Sequence, residues 1–209
     1  GSLKNLNYTA RHFGFNISFN KIDSVEQSQD EKINVIDSFK NPPPISFGTL
    51  NKEMGAAAFE SIKNGIKDLK EAKIDVLVTP PINKEAIHSD DFQFMGHTDY
   101  INSEINGSST MMMVSNELRV ALLTEHIPVS EVTNSITPEL VENKLKALRE
   151  TLIRDFQIEQ PKIAILAIDP HAGDGGVIAE NDKKLIVPAV KKMQDSGILV
   201  YGPFPADSF

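Results

Sequence analysis

Three histidines fall at or near the ends of expected strands: His97 in MGHTDY (95–100), His126 in LLTEHIPVS (122–130) and His171 in DPHAGDGG (169–176). In open α/β sheets, ligands bind outside the carboxyl ends of the strands, so histidines gathered there point to a shared ligand site. A histidine capping a strand can equally satisfy a loose backbone group, and for any one of the three alone that plainer reading holds. His12 in TARHFGF and His88 in IHSDD lie in a helix-like segment and a polar turn, and are read as structural.

The chain contains no cysteine, which removes disulfides and thiolate metal sites. A transition metal would have to use imidazole and carboxylate, and neutral imidazole suits zinc and similar divalent ions. His126 and His171 form the pair assigned to a metal, because each is followed by proline or glycine that fixes or frees the backbone beside it. A catalytic zinc takes about three protein ligands, so a third donor is required. Asp169, Asp174, Asp207 or a residue outside this sequence could supply it.

GDGG (173–176) would let backbone N–H groups approach an anion, yet it is neither a Walker loop nor GxGxxG, and a flexible strand-to-helix turn explains it as well. Lys84 in TPPINKEAI (79–87) follows another strand exit and could approach an anionic substrate. As an exposed residue at a helix start it needs no ligand.

The elements that must position these residues alternate between strand and helix. KINVID (32–37), IDVLVTP (74–80), STMMMVSNE (109–117), LRVALLTEH (118–126), PKIAILAID (161–169) and ILVYGPFPAD (198–207) read as strands. In residues 51–73, Ala58, Ile62, Ile66 and Leu69 recur at helical spacing opposite a Lys/Glu face. Thr137-Pro138 is an N-cap followed by proline at the first helical position, ahead of the stripe Leu140, Val141, Leu145, Leu148, Leu152 and Phe156. HTDYINSEIN (97–106) and ENDKKLIVPAVKKMQDSG (180–197) are further helices. The expected class is α/β, with a mainly parallel sheet and an antiparallel element at 109–126.

Of the 209 residues, 21 are Lys or Arg and 29 are Asp or Glu, giving a net charge of -8. With no basic cluster interleaved with aromatics, nucleic acid is not an expected partner. No apolar run is long enough to span a membrane, and no signal-peptide core appears, so the expected location is cytoplasmic. Gly1-Ser2 reads as a cloning remnant, and DSVEQSQDEK (23–32) as a solvated loop.

GHTDY, LRVALLTEHIPVSEV, SITPELV, DPHAGDGG and GPFPADSF occur in an order and at intervals that resemble the 4-hydroxythreonine-4-phosphate dehydrogenase family of pyridoxine biosynthesis. TPPINKEAI resembles the segment preceding them. The resemblance implies an isocitrate/isopropylmalate-dehydrogenase-like subunit of two domains around a cleft, here residues 3–92 on the cofactor side and 93–209 carrying metal ligands and a homodimer interface. It implies His97 and Thr98 as substrate-binding residues and His126 and His171 as metal ligands, with Lys84 and Asp207 as accessory candidates.

The cofactors implied are NAD or NADP and a divalent ion, zinc, magnesium or cobalt. The substrate implied is 4-phosphooxy-L-threonine, a small phosphorylated hydroxy-amino acid, oxidised and decarboxylated to 3-amino-2-oxopropyl phosphate. The family's third metal histidine, in a Tyr-His-Asp-Gln-Gly motif, has no counterpart in these residues. Its early Gly-Asp-Pro-Ala-Gly-Ile-Gly segment and its downstream substrate-binding lysine, asparagine and arginine are also unmatched. The sequence is therefore expected to be an interior part of the enzyme, inactive by itself. Ala179 stands where the family often has glycine. Two other functions keep the same features: a related dehydrogenase of another phosphorylated hydroxy acid, such as a four-carbon sugar-acid phosphate, and a non-catalytic metal- or phosphate-binding module.

Overall fold

A computed structural model describes residues 1–107 and 109–208; Phe209, the last residue of GPFPADSF, lies outside them. The chain divides into two compact units, residues 1–107 and 108–209. The boundary expected after residue 92 falls within the first unit, which also holds the helix that starts at His97. Among the described residues, no helix is long and apolar enough to cross a membrane.

In the first unit, α1 (Leu3–His12) leads to β1 (Phe19–Ile22) and β2 (Ile33–Ile36), which pair in parallel. Ser2 is not inert: it is buried, caps α1, and its hydroxyl accepts from Asn5 N at 3.4 Å. The Gly1 ammonium donates to Ser38 Oγ at 2.7 Å. These two residues therefore take part in the fold.

Helix α2 (Lys52–Lys70) begins at Asn51, whose side chain accepts from Glu53 N and Met54 N, satisfying two of the donors that a helix start leaves free. Its stripe buries Ile62 and Ile66, packed with Ile87, Phe92 and Tyr100. Gly55 lets the short α3 (Lys84–Ile87) approach closely, since a Cβ there would lie 1.9 Å from the Ala86 carbonyl oxygen. Helix α4 (His97–Glu104) ends the unit's regular structure.

The second unit opens with an antiparallel hairpin, β3 (Met112–Val114) and β4 (Arg119–Ala121). A short α5 (Val132–Ser135) precedes α6 (Pro138–Arg154), where Thr137 Oγ1 accepts from Leu140 N at 3.1 Å. Strand β5 (Ile163–Leu166) pairs in parallel with β6 (Val200–Phe204). Between them, a π turn at Asp182–Ile186 runs into α7 (Val187–Asp195). Val141, Leu145 and Leu152 of α6 form one core with Ile186, Val190, Met193 and Val200.

The architecture is α/β, and among the described residues the sheets are small, two parallel and one antiparallel. Two expected strands differ. Residues 74–80 form no ladder among the described residues, and Val76 and Val78 are 71% and 84% exposed. Leu77 packs against the core beside Gly65 of α2, so this apolar run is covered on one face only. The strand expected over 118–126 ends at Ala121. His126 therefore lies five residues beyond it, in irregular backbone with a left-handed φ of 57°.

Candidate functional site

His171 is carried by an unusual turn. After β5 the chain passes through Pro170, and His171, Ala172, Gly173, Asp174 and Gly175 then all have positive φ, between 44° and 72°. Three of the five are not glycine, and a left-handed conformation costs such residues roughly 1–2 kcal/mol each. The surroundings must hold them there.

Two buried carboxylates anchor the backbone on either side of the turn. Asp182, 2% exposed, accepts from Ile168 N at 2.9 Å and from Asp169 N at 3.0 Å. Asp169, 7% exposed, accepts from the backbone N and side-chain Nδ2 of Asn181 at 3.0 and 2.8 Å. The clamp thus ties the strand exit to the segment entering α7. Lys183 Nζ donates to the Gly175 carbonyl from the same segment. Gly173 is also required sterically, because at its φ of 72° a Cβ would lie 2.4 Å from the Ala179 carbonyl oxygen. Ala179 itself is not among the residues with left-handed backbone, so its methyl adds no strain.

Sequence reasoning missed this clamp. Asp182 in ENDKKL looks like an ordinary acid near a helix start, and nothing in its neighbours reveals that it is buried.

Among the expected site residues, the structure brings His171 and Asp207 together: Nδ1 lies 2.5 Å from Asp207 Oδ2, with both side chains substantially exposed. His126 is exposed. Beside it, Glu125 Oε2 is buried without a hydrogen-bond partner. In the first unit, His97 and Thr98 are the first two residues of α4 and are half-buried. Burial pushes the His97 imidazole below its ordinary pKa, favouring the neutral ring. Lys84 opens α3 and is exposed. A cavity of about 570 Å3 lies beside the start of α2, lined in part by Leu50, Asn51, Met54 and Pro81, but none of the six candidate residues lines it. His88 Nδ1 lies 3.0 Å from the Phe92 carbonyl oxygen, and His12 stacks on Phe47 at 4.4 Å, consistent with structural roles for both.

The donor set fits a divalent ion in kind. Two exposed imidazoles are present, one braced by a carboxylate, together with an unpartnered buried carboxylate oxygen next to the other. Among the described residues, no group of three or more histidine, aspartate or glutamate side chains is gathered closely enough to hold an ion. The third donor expected from Asp169 or Asp174 is not in place, and Asp169 is engaged by Asn181.

A protein-family model described as "Pyridoxal phosphate biosynthetic protein PdxA" matches residues 1–209. The chain belongs to the PdxA family. Over its whole length it is 38% identical to the 4-hydroxythreonine-4-phosphate dehydrogenase of Bacteroides thetaiotaomicron, covering 58% of that protein. It is 33% identical to the D-threonate 4-phosphate dehydrogenase of Cupriavidus necator, again over the whole chain and 63% of the relative. A crystal structure of a 4-hydroxythreonine-4-phosphate dehydrogenase from Burkholderia phymatum matches with a TM-score of 0.86 and 32% identity, over all of this chain and 64% of that one. The chain thus spans about three-fifths of the length of these PdxA-family relatives.

Proposed function

We propose that the chain serves in the NAD-dependent oxidation of 4-phosphooxy-L-threonine at its 3-hydroxyl, followed by decarboxylation to 3-amino-2-oxopropyl phosphate, in pyridoxal phosphate biosynthesis. The observation that carries this reading is the family match over all 209 residues, supported by 38% identity across the whole chain to an enzyme of that name. As part of the reading, the subunit is isocitrate/isopropylmalate-dehydrogenase-like, has two domains divided near residue 92, acts as a cytoplasmic homodimer, and uses NAD or NADP.

His97 and Thr98 bind substrate. Their place at the first turn of α4 supports this, since backbone N–H groups there face outward and favour an anionic group. The neutral His97 ring can accept or donate a hydrogen bond without adding charge. His126 and His171 hold the divalent ion, zinc, magnesium or cobalt, and Asp207 braces His171. When bound, such an ion supplies Lewis-acid polarisation of a substrate oxygen, while hydride acceptance belongs to the nicotinamide. The clamp of Asp169, Asn181 and Asp182 keeps the His171 turn rigid, which matters because about 1 Å of misplacement can cost on the order of 100-fold in rate.

A second reading is favoured by the 33% identity to a D-threonate 4-phosphate dehydrogenase. The two substrates differ in whether C2 carries an amine or a hydroxyl. A substrate panel on a family-length polypeptide carrying residues 1–209 separates the readings by kcat/KM. The expected preference is for 4-phosphooxy-L-threonine by at least ~10-fold, about 1.4 kcal/mol in transition-state binding. A preference for D-threonate 4-phosphate would replace the first reading with the second.

A further inference from the structure

We propose that Asn106 is a site of spontaneous modification, where the side-chain amide is lost and aspartate and isoaspartate form at the end of the first unit. The sequence holds two Asn-Gly pairs, Asn64-Gly65 and Asn106-Gly107. Such pairs are labile because glycine has no side chain to shield its nitrogen from the neighbouring amide carbon. Residue types alone do not separate the two, but their surroundings do. Asn64 and Gly65 lie inside α2, where the helical ladder fixes the backbone, and Asn64 Nδ2 donates to the Ser38 carbonyl oxygen at 3.3 Å. Gly65 is packed as well, since a Cβ there would lie 2.8 Å from Leu77 Cδ1. Asn106 and Gly107 follow the end of α4 at Glu104, are both exposed, and belong to no helix or strand. Among the described residues, neither the Asn106 amide nor the Gly107 N–H has a hydrogen-bond partner. Gly107 adopts φ 147°, and apart from its chain neighbours nothing lies within 4 Å of where a Cβ would stand, so its nitrogen is open to approach.

The chemistry needs only water and a free backbone. The Gly107 nitrogen loses its proton to hydroxide and attacks Cγ of Asn106. The Cγ–Nδ2 bond breaks, ammonia leaves with a proton taken from water, and a cyclic succinimide closes. Water then opens the ring. Cleavage between the nitrogen and Cγ gives aspartate, while cleavage between the nitrogen and the main-chain carbonyl carbon gives isoaspartate, with the backbone routed through Cβ and Cγ. Overall a water is consumed and an ammonia released, with no change of oxidation state. Inside α2 the same attack requires the helix to open first, because the ladder holds the Gly65 nitrogen away from the Asn64 side chain. Each conversion at position 106 adds a negative charge just beyond the C-terminal end of α4, where the helix dipole is already negative. The isoaspartate form also lengthens the main chain beside Gly107, the residue at which the first unit ends.

The test is peptide mapping by mass spectrometry after incubation of the folded 209-residue chain at mildly alkaline pH, with aspartate and isoaspartate peptides separated by their elution. The expected result is a mass gain of about 1 Da in the peptide holding Asn106-Gly107, at a rate at least ~10-fold above that at Asn64-Gly65. In urea, where α2 no longer protects Asn64, the two rates should converge. Asn106→Gln should remove the main acidic species resolved by ion exchange, because the longer side chain closes its ring far more slowly, and should leave the melting temperature unchanged. Equal loss at Asn64 and Asn106 in the folded chain would overturn the inference, as would an Asn106 amide that stays intact. An acidic species undiminished in Asn106→Gln would place the modification elsewhere and overturn it too.

Discussion

Replacing His171 with alanine in a family-length polypeptide carrying residues 1–209 is expected to abolish metal-dependent turnover, by about a thousandfold or more. Lewis-acid polarisation is worth several kcal/mol of transition-state charge stabilisation, and each 1.36 kcal/mol is about tenfold in rate. Stability should hardly move. The side chain is 66% exposed, its contact with Asp207 lies at the surface, and alanine meets the same left-handed backbone cost at φ 50°. Such surface changes fall within about 0.5 kcal/mol. Steady-state rates with saturating zinc, alongside thermal melts, check both halves. Undiminished turnover would remove His171 from the site.

Asp182→Ala should do the opposite, costing stability wherever it is measured. Its carboxylate is 2% exposed and accepts two backbone N–H groups, from Ile168 and Asp169. Alanine leaves both donors buried without partners, at roughly 1–3 kcal/mol each, offset in part by relief from burying a charge. The net loss expected is about 3 kcal/mol, or roughly 10–20 °C in Tm for a unit of this size. Asp182→Asn keeps one acceptor but turns an NH2 donor towards the other N–H, and should recover only part of the loss. Urea and thermal unfolding of the 209-residue chain measure both variants. A loss below about 1 kcal/mol would mean that the His171 turn is held by other contacts.

These two sites differ in how far the sequence reveals them. The stripes of α2 and α6 are legible because helical periodicity is local, and the cores they build contain Ile62 and Ile66 in one unit and Val141, Leu145 and Leu152 in the other. His171 is legible as a special position because glycines and proline surround it. Its left-handed turn is not, since His171, Ala172 and Asp174 adopt a conformation that their residue types disfavour, beside contacts made by Asn181, Asp182 and Lys183 further along the chain. The contact with Asp207 depends on β5 pairing with β6, a long-range event. The IDVLVTP run misleads for a related reason. Its apolar residues suit a strand covered on both faces, and here Val76 and Val78 remain open. At 118–126 the apolar pattern outlasts the ladder, which ends at Ala121.

The most direct measurement is NADH formation from 4-phosphooxy-L-threonine by a family-length polypeptide carrying residues 1–209, before and after chelation of divalent ions. A metal-dependent dehydrogenase of this family should form NADH, lose that activity on chelation, and regain it with zinc, magnesium or cobalt. NADH formation that persists under chelation, or that no added metal can elicit, would contradict it.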